Sequence, residues 1–314
     1  MVNKKSSNPI HSTPRGIRPG TREQEFKNAP TAQRVNEQFV LRNLSFSESI
    51  NVAEALFFCL TYYVTPAVHS FLCRRRLVSR TATNYDFADM MQVISYNNNN
   101  DKNFLHFPVS SKIISKSISA RNELCHLNLE AVKQNWPRNL SVWTKLCRSV
   151  DDEHGASNVQ LVYDRLINGQ YKHAIEEKPF FNIIGVYDEN SALGLSFVLY
   201  SCLARYVGPS LRRFLILKKG HSASTDFDVY LNLKYTAEEL RHDANFLAKG
   251  ASKRADKELV RVALEGRNHV CHGKFTEVFY KWNMYLQSWR HVRQIRPARM
   301  LFPIQYSSVR QRNN

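Results

Sequence analysis

The stretch RNELCHLNLEAVKQNWPRNLSVWTKL, residues 121–146, returns as RNHVCHGKFTEVFYKWNMYLQSWRHV at 267–292. Arg, Asn, Cys, His, Val and two Trp recur in register, at an offset of 146. A second block behaves the same way: CLTYYVTPAVHSFL (59–72) and CLARYVGPSLRRFL (202–215) share Cys, Leu, Tyr, Val, Pro, Phe and Leu at an offset of 143. Shorter echoes, DFADMM (86–91) and DFDVYL (226–231), lie between the blocks. Two blocks in one order with a nearly constant offset indicate an internal duplication.

Each copy reads as helical. Ile50, Ala53, Leu56, Phe57, Leu60 and Val64 recur at helical spacing, as do Leu193, Phe197, Tyr200 and Ala204. Ser45 with Glu48 three residues on predicts a capping box. Pro66 and Pro209 predict a kink or a break between two helices, and Pro137 a helix break after Trp136. NNNNDKN (97–103) reads as a polar loop, DFDVYLNLKY (226–235) as a strand or a bound segment, and DDEHGAS (151–157) as a linker between copies. Trp136, Trp143, Trp282 and Trp289 fall seven apart within each copy and read as core.

Working outward, residues 1–44 and 296–314 are basic, rich in Pro and poor in large apolar groups, which predicts disordered tails. The fold class expected is mostly α: a first helical unit at 45–150, a linker with an extra helix at 151–189, and a second unit at 190–295. The apolar stretches 52–60 and 191–204 are too short for a membrane span and read as core helices. No apolar leader opens the chain, and none of the six cysteines forms a CxxC pair. Reduced thiols and a nuclear or cytoplasmic setting are therefore expected.

Lys and Arg number 44 against 27 Asp and Glu, giving a formal charge of +17. A field of that sign favours polyanions, RNA first among them. The sequence holds no Gly-rich phosphate loop and no Ser-His-Asp arrangement, and adjacent Cys-His pairs are poor zinc spacing, so neither cofactor nor metal is expected.

The repeated motif carries the chemistry. Asn122 and His126 are four residues apart and share a helix face; Arg121 needs its long side chain to reach the same place. Arg267, Asn268 and His272 repeat the set. A guanidinium suits phosphate oxygens, and imidazole moves protons near neutrality. Two histidines and two arginines are sufficient to cleave RNA without metal, one histidine as general base and the other as general acid.

This Arg-polar-x-x-x-His signature, late in a helical unit and followed by a Trp-bearing helix, resembles the HEPN superfamily. The resemblance covers about 45–148 and 190–292 and rests on short motifs plus helical pattern. It implies two HEPN-like bundles packed as a pseudo-dimer within one chain, with Arg121, Asn122, His126, Arg267, Asn268 and His272 in one composite site. Many members are metal-independent ribonucleases acting as dimers, and non-catalytic members exist. The expected function is therefore an endoribonuclease, with a non-enzymatic RNA-binding or protein-interaction scaffold as the alternative. Further oligomerisation is open.

Overall fold

The computed structural model describes residues 44–79, 86–100, 109–175, 186–219, 228–243 and 253–294. These residues are helical almost throughout, with no strand among them. The two tails read from the sequence lie outside the described residues, except Leu44, which is buried in the core.

Helix α1 (Phe46–Cys59) opens with the expected capping box: Ser45 Oγ accepts from the Glu48 N–H, and Glu48 Oε2 accepts from the Ser45 N–H. It runs through a π-helical turn (Leu60–Val64) into α2 (Thr65–Arg74). The helix neither breaks nor ends at Pro66. Proline lacks an N–H and its ring collides with the carbonyl four residues back. A wider π turn, in which Thr65 N–H reaches Leu60 O, removes that conflict, and the proline sits in the first turn of α2. The second copy repeats the device: α7 (Glu189–Cys202), a π turn (Leu203–Val207) and α8 (Gly208–Lys219).

Joined in this way, Phe46–Arg74 and Glu189–Leu217 are each 29 residues long, longer than their sequence stretches suggest. Length and composition alone would allow each to cross a membrane, but 61% of each apolar window is buried inside the protein. Both are core helices in this fold.

The remaining helices recur in order. In the first set these are α3 (Phe87–Asn100), α4 (Ser111–Cys125) and α5 (Leu129–Ser149). The extra helix α6 (Glu153–Ile167) and a short 3-10 turn (Tyr171–His173) follow. The second set ends with α9 (Val229–His242), α10 (Lys253–Cys271) and α11 (Phe275–Gln294). Packing recurs with order: α1 lies on α5 and α5 on α4, as α7 lies on α11 and α11 on α10.

Several local expectations are overturned. DFDVYLNLKY is not a strand: Asp228 caps α9 by accepting from Leu231 N–H at 2.8 Å, and the alternating residues wind into that helix. Asn97–Asn100 belong to the end of α3, where Asn98 Nδ2 donates to Val109 O; residues 101–103 lie outside the described set. Pro137 does not break α5, which runs 21 residues around Trp136 and Trp143, both fully buried. Burial of that face outweighs the one backbone hydrogen bond a proline removes. Of the linker read at 151–157, only Asp151, at φ 58°, and Asp152, which caps α6, form a turn; residues 153–157 already belong to α6.

Equivalent positions of the two sets meet. Phe57 and Tyr200, 143 apart, stack with ring centroids 4.0 Å apart. Beside them Phe58 meets Phe197 edge-on, while at the corresponding pair Glu54 accepts from Ser201 and from Arg205 Nε and Nη2. One side of the contact is thus aromatic and the other an ion pair.

The helix pair carrying the second motif is close-packed at Gly266. A Cβ built there would lie 2.5 Å from Cγ of Tyr285. The corresponding positions of the first set hold Ala120 and Asn139, exchanging small and large. Gly266→Ala is expected to destabilise the protein by about 1–3 kcal/mol through overpacking, read as a lower urea midpoint with unchanged slope.

Candidate active site

Each signature helix ends inside its motif. His126 is the last residue with helical backbone at the end of α4, its N–H bonded to Asn122 O at 2.9 Å. Leu127 then turns at φ 53°, and Asn128 N–H reaches back to Glu123 O. His272 is followed by Gly273 at φ 65°, with Lys274 N–H bonded to His269 O. This is the same left-handed helix end twice, with the side-chain strain accepted at Leu127 and avoided at Gly273. It throws both histidines off the helix ends.

The two motifs touch. Cys125 Sγ lies 3.0 Å from Cys271 O, and Cys271 Sγ 3.3 Å from Cys125 O. Arg267 Nη2 donates to Cys125 O, and Arg121 Nη2 to Cys271 O at 3.2 Å. The histidines follow these cysteines directly and leave the same junction.

Neither guanidinium reaches solvent: Arg121 is 5% and Arg267 2% exposed. Arg121 Nη2 forks onto Asp86 at 2.8 and 2.9 Å, and its Nη1 donates to Asn122 Oδ1 at 3.1 Å. Arg267 Nη1 donates to Asn268 Oδ1 at 3.0 Å, and its plane lies over the Tyr230 ring at 4.6 Å. Among the described residues Arg267 has no carboxylate partner. Both asparagines therefore hold the arginines, not the histidines as their spacing suggested.

The histidines are oriented by aspartates that the motif spacing gave no reason to choose. Nδ1 of His126 lies 3.1 Å from Asp228 Oδ2, and Nδ1 of His272 lies 2.5 Å from Asp86 Oδ2. Each aspartate belongs to the opposite set of helices. A carboxylate accepts, so each Nδ1 is the donor toward its aspartate, and His272 Nδ1 also lies 3.0 Å from Arg121 Nη2, which shares Asp86 with it. The side chains of His126 and His272 remain 40% and 37% exposed. The start of α9 also seats on His126 itself: Val229 N–H donates to His126 O at 3.1 Å, and the Tyr230 ring lies 5.1 Å from the imidazole.

Electrostatics follow the geometry. Burial pushes the Asp86 carboxyl up, but the His272 hydrogen bond, the Arg121 charge and the Ala88 N–H outweigh it and hold it below the ordinary carboxylate value. Burial raises the Cys125 thiol well above its usual range. At Cys271 burial is outweighed by the Cys125 hydrogen bond and by the Arg267 and Arg121 charges, which bring its pKa down to about 7.

Asp86 and Asp228 had a partial signal. The echo DFADMM/DFDVYL pairs Asp86 with Asp226, but the structure pairs it with Asp228: each caps its helix, Ala88 N–H bonding Asp86 Oδ1 and Leu231 N–H bonding Asp228 Oδ1. The register slips by two residues, which no motif spacing could supply. Tyr230 takes the place of Ala88. Trp136, Trp143 and Trp289 are buried core; Trp282 packs at its edge. No group of three metal-ligating side chains occurs among the described residues.

Compared with known protein families, with curated proteins and with solved structures, the chain matches none, so its assignment rests on the repeated motif and the geometry built around it.

Proposed function

We propose that the chain is a tandem HEPN-like protein, two helical bundles packed as an intramolecular pseudo-dimer, that cleaves RNA without metal at one composite site. The observation that carries this is the crossed pairing: His126 on Asp228 and His272 on Asp86, each Nε2 left free at a half-exposed ring. An aspartate behind imidazole fixes the tautomer and stabilises the imidazolium, as a base–orienter pair requires. One histidine takes the proton of the ribose 2′-hydroxyl, whose oxygen attacks phosphorus. The other, entering the step as the imidazolium, gives its Nε2 proton to the departing 5′-oxygen, so that one proton is taken up and one released. The products are a 2′,3′-cyclic phosphate and a 5′-hydroxyl. Arg121 and Arg267, buried and engaged, are positioning residues in this reading, holding the junction from which the histidines project.

The burial of both arginines equally favours a second reading: an RNA-binding scaffold in which the motif locks the helix sets together. Incubating the full chain with labelled single-stranded and structured RNA in EDTA separates the two. Cleavage with cyclic-phosphate ends supports the nuclease; retention of intact RNA by a folded protein supports the scaffold.

A further inference from the structure

The outer face of α4 and α5 is unlike its counterpart in the second set. It presents Lys112, Arg138 and Lys145, all exposed, with Lys116 half-exposed among them. Between 109 and 150 the carboxylates are Glu123 and Glu130, both at the motif end of the helix pair, where Glu123 accepts from Asn135 and Asn139 and Glu130 from Gln134; none of the four cations has an acidic partner among the described residues. Partial desolvation, then Arg138, Lys112 and Lys145 in turn, lower the Lys116 ammonium below its ordinary value. Lys112 and Lys116 are one turn apart on α4, Arg138 and Lys145 two turns apart on α5, and the two helices pack side by side, so Lys116 feels the other three charges. Such crowding opposes folding and is relieved by a polyanion.

The duplication supplies an internal control. At the offset of 146, the corresponding positions are Glu258, Val262, Met284 and His291. Glu258 is paired with Arg261, and His291 lies 3.5 Å from Asp256. Of these positions Glu258 and Met284 are exposed and Val262 is buried, so equivalent helices pack without the cations and the fold does not require them. None of the large exposed hydrophobic residues lies between 109 and 150. A membrane-binding face needs apolar groups to insert, whereas a phosphate backbone needs only cations and polar donors.

We propose that this face of α4 and α5 is the docking surface for an RNA backbone, so that the strand approaches the paired motifs from the first set alone. Lys116 lies ten residues before His126 on the same helix, about 15 Å along its axis at 1.5 Å per residue. A strand of a few nucleotides spans that distance. The direction of approach to the histidines rests on the nuclease reading; the binding surface does not.

The test measures binding of the full chain to a 2′-O-methyl RNA that cannot be cleaved by 2′-oxygen attack. One variant carries Lys112→Glu, Lys116→Glu, Arg138→Glu and Lys145→Glu. A second carries glutamine at the same four positions, to guard against misfolding by charge reversal. A charge-matched control carries Lys172→Glu, Arg213→Glu, Lys257→Glu and Arg290→Glu. The glutamine variant is expected to bind about tenfold more weakly at moderate salt, with a log–log salt slope smaller by about 2–3, as loss of four single-strand phosphate contacts predicts. The control should lose far less than the matched reversal. Equal losses in both reversals, unchanged binding by the glutamine variant, or binding of wild type to phosphatidylserine vesicles but not RNA would each overturn the surface. Cleavage of ordinary RNA is scored separately. Patch-dependent binding without cleavage keeps the surface and sinks the nuclease; cleavage with patch-independent binding does the reverse.

Discussion

Replacing either His126 or His272 with alanine is expected to lower RNA cleavage by about 10²–10⁴-fold, the usual worth of a positioned general acid or base. The two single losses should be similar, and the double variant little worse than either, because the two rings act as a unit. Both rings are partly exposed and neither fills the core, so the variants should fold and keep wild-type affinity for a non-cleavable RNA; His126→Ala should hold its unfolding midpoint closely, while His272→Ala loses about 1 kcal/mol with the Asp86 hydrogen bond, Asp86 keeping Arg121. The pH–rate profile should be bell-shaped in wild type. Losing cleavage while keeping stability distinguishes this from a lock: if the motif only fastens the two helix sets, the histidine variants should leave any cleavage untouched.

The second large effect concerns the aspartates, and it differs between them. Asp86→Asn is expected to cost about 3–5 kcal/mol, because Arg121 is left buried without its counter-charge. Asp228→Asn is expected to cost under about 1 kcal/mol, since asparagine caps α9 nearly as well and Arg267 does not depend on that carboxylate. Both should impair cleavage through the wrong imidazole tautomer. Comparing urea midpoints with cleavage rates therefore separates orientation from stability. The pH dependence has a definite sign. The Asp86 carboxyl titrates lower in the folded chain than its ordinary 3.8, so its contribution is complete above that value. It is lost as pH falls below about 4 and through the folded value, and Asp86→Asn should flatten that acid limb. An unchanged acid limb in Asp86→Asn would mean the Arg121–Asp86–His272 cluster carries no such linkage.

Much of the fold was legible because duplication prints it twice. The capping box at Ser45, the buried tryptophans of α5 and α11, and the extra helix after residue 151 followed from local pattern. At Pro66 and Pro209 the expected irregularity takes the form of a widened π turn, not a break, which keeps an apolar stripe continuous and buried. The errors came where local signals compete. At 229–234 alternating aromatic and aliphatic residues favour a strand locally, but Asp228 caps a helix whose Val229 and Leu233 are buried in the core.

The site divides along the same line. Residue order alone put Arg, Asn and His together in each copy, because neighbours on one helix stay neighbours in any fold. Which group each would hold could not be read from it. Tertiary contact turned the asparagines onto the arginines, buried the arginines against the opposite cysteine carbonyls, and brought Asp86 to His272 across 186 residues and Asp228 to His126 across 102. Those pairings depend on how two helix sets pack against each other, an arrangement set by core burial far from the motif, as at Phe57 and Tyr200. The sequence determined that two equivalent sets of chemical groups exist; packing decided that each set completes the other.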